Sequence, residues 1–200
     1  MSREVCVPME QTETDPCPPS LCDSSDLLLA FVNTGPLAGS TDGLTGADDL
    51  SAWLIRMGVV GVGDPVTGAD AAAARELRDA FTTIFRAHSG CEDGEEALPA
   101  AEEYIQRIAH RYPLVPRLSS EGCHLVPAQE GVLGGFGALF AAAADLAARG
   151  GWSRLKMCKD PSCYRGFFDK TRNSSGLYCS AACSARMAAR AYRSRAKKAS

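Results

Sequence analysis

Four cysteines in the last quarter of the chain constrain its fold more than any other feature. Cys158 and Cys163 are separated by four residues, Cys179 and Cys183 by three, and fifteen residues lie between the pairs. Zinc in structural sites takes four thiolate or imidazole ligands in a tetrahedron, delivered as two close pairs whose connecting segment is long enough to fold back. This spacing meets each condition. Asp160 and Pro161 suit a tight turn inside the first pair. Gly166, Phe167 and Phe168 are expected to pair with Leu177 and Tyr178 in a small hairpin closed by residues 173–176, its aromatics covering the metal. Ser180 is placed to cap a helix carrying Cys183 in its first turn. Knuckle, hairpin and helix in that order describe a treble-clef-like finger. A module of about 45 residues buries too little apolar surface to fold unaided, so one structural Zn2+ would supply on the order of 10 kcal/mol or more of its folding free energy. Four protein ligands leave no open coordination position, which speaks against catalytic zinc. The alternatives are an iron–sulfur cluster, although the spacing fits neither common ferredoxin pattern, and disulfides or unligated thiols.

The same segment is strongly basic. Residues 151–200 hold twelve Lys and Arg against two Asp and Glu, ten net positive, whereas residues 1–150 hold nine against twenty-two, thirteen net negative. Four thiolates and one Zn2+ lower the finger to eight net positive charges. At ~100° per residue, Arg186, Arg190, Arg193 and Lys197 fall within about a 60° sector of the last helix. Arg195 and Lys198 extend the charge, and Lys170 and Arg172 add to it from the hairpin. Like charges at this spacing disfavour an isolated helix, so an anionic partner is the natural compensation. Double-stranded DNA is the preferred one, held mainly through phosphates. A solvated basic face is the bland alternative.

Ahead of the finger the pattern is mainly helical. Residues 1–24 are polar and proline-rich and read as a flexible leader, whose Cys17 and Cys22 repeat the four-residue gap without a second pair. From Asp26 a continuous apolar block leans towards helix. Leu50, Trp53, Leu54 and Met57 form one face of a short helix ended by Gly58. Two longer helices, over 69–89 and 98–111, are expected to pair antiparallel with Gly90 and Gly94 between them. A β-hairpin follows at 114–127, then a final helix over 131–149 whose Ala and Gly imply close packing. The fold class is therefore mainly α with a small β-hairpin: a leader (1–24), a helical body (25–150) and a finger (151–200).

These motifs resemble a known family. The tail is similar to the CGNR zinc finger, which closes bacterial proteins whose N-terminal part is the ABATE domain and which are regarded as stress-induced transcription regulators. That signature runs C-x4-C, an aromatic F-x-D step, a hairpin, W-C-x3-C-G-N-R and a basic end. The chain has Cys158, Cys163, Phe168-Asp169, Tyr178-Cys179, Cys183 and Arg186 in those places. Its "LLLAFVNT" also resembles the family's L-x-x-D-F-V-N-T start, so the likeness spans about residues 26–198. Two departures stand out: Ser184 and Ala185 replace the Gly and Asn of the motif, and Ala30 replaces an acid before Phe31. The resemblance implies a DNA-binding regulator whose body could sense a small-molecule effector, and the lack of a legible signal or membrane-spanning run sets the expectation of a cytoplasmic protein.

Other classes find less support. No signal-like or membrane-spanning run is legible, and residues 131–149 include Asp145. His88, His110 and His124 lack metal spacing, Cys91 and Cys123 lack a catalytic partner, and the glycine-rich residues 58–65 lack a phosphate-loop ending. No enzyme is expected. Asn33 and Thr34 are the body residues nominated for a ligand pocket, with helix termination as the competing role. One such finger buries only roughly 600–1,000 Å² on DNA, so a homodimer or second protein is expected. A protein-interaction adaptor, or an RNA-binding one, is the alternative reading.

Overall fold

Apolar stripes at helical spacing build the body, as seen in a computed structural model that describes residues 21–36, 41–61, 63–120 and 122–198. Residues 1–20, the bulk of the expected leader with its Cys17, lie outside the described residues. The elements run α1 (Leu21–Val32), α2 (Ala47–Arg56), α3 (Gly68–His88), α4 (Glu92–Ala109), β1 (Leu114–Ser119), β2 (Gly122–Pro127), α5 (Gly131–Ala148), β3 (Leu155–Met157), β4 (Gly166–Phe168) and α6 (Ala181–Lys198). The fold is mainly helical with two small antiparallel sheets, β1–β2 and β3–β4.

The central helix is α3. Thr67 caps it with a reciprocal box, accepting from the Asp70 N–H while the Asp70 carboxylate takes the Thr67 N–H. Its Leu77, Phe81, Ile84 and Phe85 enter a core shared with Leu28 and Phe31 of α1, Trp53 and Leu54 of α2, and Phe136 and Leu139 of α5. Phe31 meets Trp53 at 5.3 Å and Phe81 edge-on at 6.4 Å between ring centroids, aromatic geometry worth about 0.5–1.5 kcal/mol per pair beyond burial. Helix α5 is long and apolar enough to cross a membrane by composition, yet it packs in this core against α1 and β2. Its glycines make that possible: a Cβ on Gly134 would lie 2.4 Å from the Gln129 carbonyl oxygen, and one on Gly137 would press on Pro127 at 3.0 Å.

Two expectations are revised. Helix α1 begins at Leu21, ahead of the expected block at Asp26. Helix α4 begins at Glu92 rather than 98, so Gly94 lies inside its first turn and Pro99 within its body. Glu92, Asp93 and Glu95 favour the helix N-terminus, and Gly94 supplies the close approach, since a Cβ there would fall 2.6–2.8 Å from Arg86 and the Ala87 nitrogen. Arg78, on the α3 stripe, is 3% exposed. Asp42 receives its guanidinium through two 2.7 Å bonds. That hydrogen bonding outweighs partial desolvation and holds the Asp42 carboxyl below its ordinary range.

Two substitutions test this framework. Gly94→Ala should lower stability by about 1–2 kcal/mol despite alanine's better helix propensity, read as a lower urea midpoint with unchanged slope. Asp42→Asn should cost about 2–3 kcal/mol by stranding a buried guanidinium. Because the folded Asp42 pKa is depressed, the stability lost in the variant is the part present above pH ~4 and lost on acidification, so the two proteins should converge in acid.

Candidate metal centre and basic helix

The four cysteines converge. Strand β3 delivers Cys158, a turn returns the chain to β4 by way of Cys163, and α6 brings Cys183 in its first turn behind Cys179. All four sulfurs lie within 4.8 Å of one another, with Cys163 to Cys179 at 3.6 Å and Cys179 to Cys183 at 3.7 Å. Four sulfurs each about 2.3 Å from a tetrahedral ion stand about 3.8 Å apart, so the donor set fits one structural zinc. Burial pushes the Cys158 thiol up, and burial with the neighbouring thiols pushes Cys179 up to about 12. The Ser180 hydroxyl holds the Cys183 thiol below its ordinary value; for the two raised thiols a divalent ion supplies the charge that favours the thiolate.

Local chemistry explains the convergence. Within the knuckle, Asp160 accepts from the Ser162 N–H at 3.0 Å and its hydroxyl at 2.7 Å, and the Cys163 N–H donates to the Asp160 carbonyl. Tyr164 takes a left-handed φ of 53°, turning the chain so that Arg165 can accept from the Cys158 N–H at 2.9 Å. Ser180 accepts from the Cys183 N–H at 3.3 Å, the expected cap of α6.

The expected hairpin is corrected. Strand β4 pairs with β3, Leu155 opposite Phe168 and Met157 opposite Gly166, rather than with Leu177 and Tyr178. Leu177 instead gives its carbonyl to the Lys159 N–H at 3.0 Å. The cause is Asp169, 1% exposed, which gathers Lys156 Nζ at 2.8 Å, the Thr171 N–H and hydroxyl, and the Gly176 N–H at 2.7 Å. Burial alone would raise its pKa, but these donors outweigh it and hold the carboxyl far below the ordinary range. Arg154 adds bonds to the Asp169 and Thr171 carbonyls. Residues 169–176 thus wrap around two cations instead of forming a strand, with Lys170 and Arg172 exposed on the outside.

Strand β3 also anchors the finger to the body. Leu155 and Met157 are core residues. Ser89, beyond the end of α3, accepts from the Met157 N–H at 2.8 Å and donates to its carbonyl, and His88 Nδ1 lies 2.9 Å from the Leu155 carbonyl. Burial lowers the His88 pKa, as suits a ring stacked on Phe85 and edged by Trp152.

Asn33 and Thr34 have structural partners. Asn33 donates to the Gly166 carbonyl at 3.1 Å and accepts from the Gly166 N–H at 2.8 Å, bridging the end of α1 to β4. Thr34 donates to the Phe31 carbonyl at 2.6 Å, which ends the helix. Both side chains serve the fold. A groove of about 170 Å³ lies beside them, between α3 and the finger, edged by Gly35, Thr82, Met157 and Tyr164.

Helix α6 stands out from the rest. From Ser184 to Lys197 every residue is exposed except half-buried Met187. Arg190, Arg193, Arg195 and Lys197 have no partner among the described residues; Lys198 is the last residue of the helix. Arg186 differs: its Nε and Nη2 reach Asp160 Oδ2 at 2.9 and 2.8 Å, and Nη2 donates to the Cys183 sulfur at 3.0 Å. Cys91 and Cys123 lie away from this cluster as free thiols. Sequence reasoning placed Asp160 in the turn of the first pair but missed its bond to Arg186, and it missed the parts played by Lys156, Ser89 and Arg154. Asp169 was signalled by the step after Phe168.

A helical body clasping a four-thiolate finger with a projecting basic helix defines a zinc-finger protein. Family models sharpen this: residues 25–150 match ABATE, described as "Putative stress-induced transcription regulator", and residues 154–196 match the CGNR zinc finger. The chain belongs to the ABATE family and carries the CGNR finger. No curated protein matches it.

Purified protein should contain one zinc per chain. Stripping it with a chelator should unfold the finger and also lower the melting temperature of the body, because β3 belongs to both. Asn33→Ala should cost about 1–3 kcal/mol in thermal or urea unfolding by leaving the Gly166 backbone unpaired.

Proposed function

We propose that the protein is a cytoplasmic, DNA-binding transcription regulator without catalytic activity of its own, in which the zinc is structural and α6 meets the duplex. The observation that carries this reading is the solvated course of α6 beyond the metal site, exposed at every residue from Ser184 to Lys197 but Met187, with partnerless arginines along one edge. Eighteen residues make a helix about 27 Å long, suited in length and width to a major groove. Between α6 and the knuckle runs a groove of about 270 Å³ edged by Ser162, Met187, Arg190 and Arg193. Two unpaired guanidinium groups along this groove suit a backbone phosphate, which sets register rather than sequence preference. Lys170 and Arg172 offer a second set of phosphate contacts, and the acidic body is repelled from the duplex. A homodimer would supply the contact area that one finger lacks.

Effector sensing fits less well. The groove at the body–finger junction is smaller than the roughly 300–1,000 Å³ of ordinary ligand sites, and the Arg78 guanidinium beside it is already held by Asp42. Any effector seated there has only a few heavy atoms.

Titrating duplex DNA at two salt concentrations tests the proposal. Binding should weaken steeply with salt, and Arg190→Ala and Arg193→Ala should each reduce the magnitude of the log–log slope by about 0.9 across unrelated sequences. No binding at low salt would favour a protein-interaction adaptor, and preference for single-stranded RNA over duplex DNA would favour the RNA reading.

A further inference from the structure

The arginine nearest the metal centre differs from its neighbours on α6. We propose that Arg186 is a positioning residue of the zinc site, bridging the Cys183 sulfur and the Asp160 carboxylate so as to hold the metal ligands together and fix the direction of α6, rather than a nucleic-acid contact.

Three observations support the assignment. First, the donors are committed: Nε and Nη2 converge on Asp160 Oδ2 at 2.9 and 2.8 Å, while Nη2 also reaches Cys183 Sγ at 3.0 Å. Second, Asp160 is built to receive them. It is 2% exposed, and its other oxygen is occupied by the Ser162 N–H and hydroxyl. Both Asp160 oxygens are thus taken up by donors alone, Oδ1 by Ser162 and Oδ2 by Arg186, the arrangement that suits a carboxylate.

Third, the charges require a mediator. A loaded four-thiolate site carries two net negative charges, and the Asp160 carboxylate adds a third beside it. Among the described residues, no other cation is bonded to a cysteine sulfur or to Asp160. The rigid guanidinium fork spans two anions at once, which a single ammonium does poorly. A donor to a ligating sulfur also draws charge from it, the way outer partners tune and retain a metal.

The mechanical role follows from what α6 lacks. Past Cys183 the helix has only Met187 half-buried, so Cys183 and Arg186, one turn apart, are its attachments to the knuckle. Losing the second would let the helix swing about the first.

The test uses the full chain as Arg186→Ala, Arg186→Lys and, for comparison, Arg190→Ala. Zinc affinity is measured by competition with a chromophoric chelator, and the sulfur-to-metal charge-transfer band is recorded after replacing zinc with Co2+. Arg186→Ala should bind zinc about 10–100-fold more weakly and shift that band, with Arg186→Lys recovering only part of both. Arg190→Ala should leave both unchanged. The proposal is overturned if either Arg186 variant matches Arg190→Ala in affinity and spectrum; should Arg186→Ala fail to yield a loaded finger, Arg186→Lys alone decides. Neither readout involves DNA, so the outcome is independent of the DNA-binding proposal.

Discussion

Strand β3 is the part on which the rest of the molecule depends. Its three residues contribute Leu155 and Met157 to the aromatic and aliphatic core and Lys156 to the pocket that folds residues 169–176, and the next residue is the first metal ligand. Bonds between the Ser89 hydroxyl and the Met157 backbone, with the Asn33 bridge to β4, hold this strand pair against the ends of α3 and α1. The hydrophobic effect that orders the body therefore also places half of the metal site. Only the second pair of sulfurs must be brought in from outside, and the ion supplies the energy for that closure.

Electrostatics inside the finger follow a consistent pattern. Each buried carboxylate is matched to a cation and to backbone N–H groups: Asp169 to Lys156 and Asp160 to Arg186. Such pairs contribute modestly to net stability, because desolvation offsets much of the attraction, but they define geometry sharply. One fixes a turn that displays Lys170 and Arg172; the other joins knuckle to helix. Several basic residues that read as one undifferentiated patch in the sequence thus divide into internal struts, Arg154, Lys156 and Arg186, and solvated charges along α6.

Legibility in the sequence followed the range of the interactions. Helical stripes, the Ser180 cap, the glycine-packed α5, the β1–β2 hairpin and the four sulfur ligands were readable because each is written in local spacing. Family resemblance at both ends of the chain was likewise legible, since it rests on contiguous motifs. What escaped depends on partners distant along the chain. The true mate of β4 is β3, because Asp169 is captured by Lys156, thirteen residues earlier. Asn33 reaches Gly166, 133 positions away, and Arg78 sits on the apolar stripe of α3 because Asp42 waits in a loop. The start of α4 was misplaced for a related reason: Gly94 looked like a breaker until α3 was seen to run against it.

One consequence concerns modularity. Many small metal fingers are strung along chains as beads and can be recombined freely, since each carries its own interior. Here the interior is borrowed: cut away from α1 and α3, the finger would expose Leu155 and Met157 and lose the Asn33 bridge. Such a finger travels through evolution, or through a protein engineer's hands, only together with the helices that complete it.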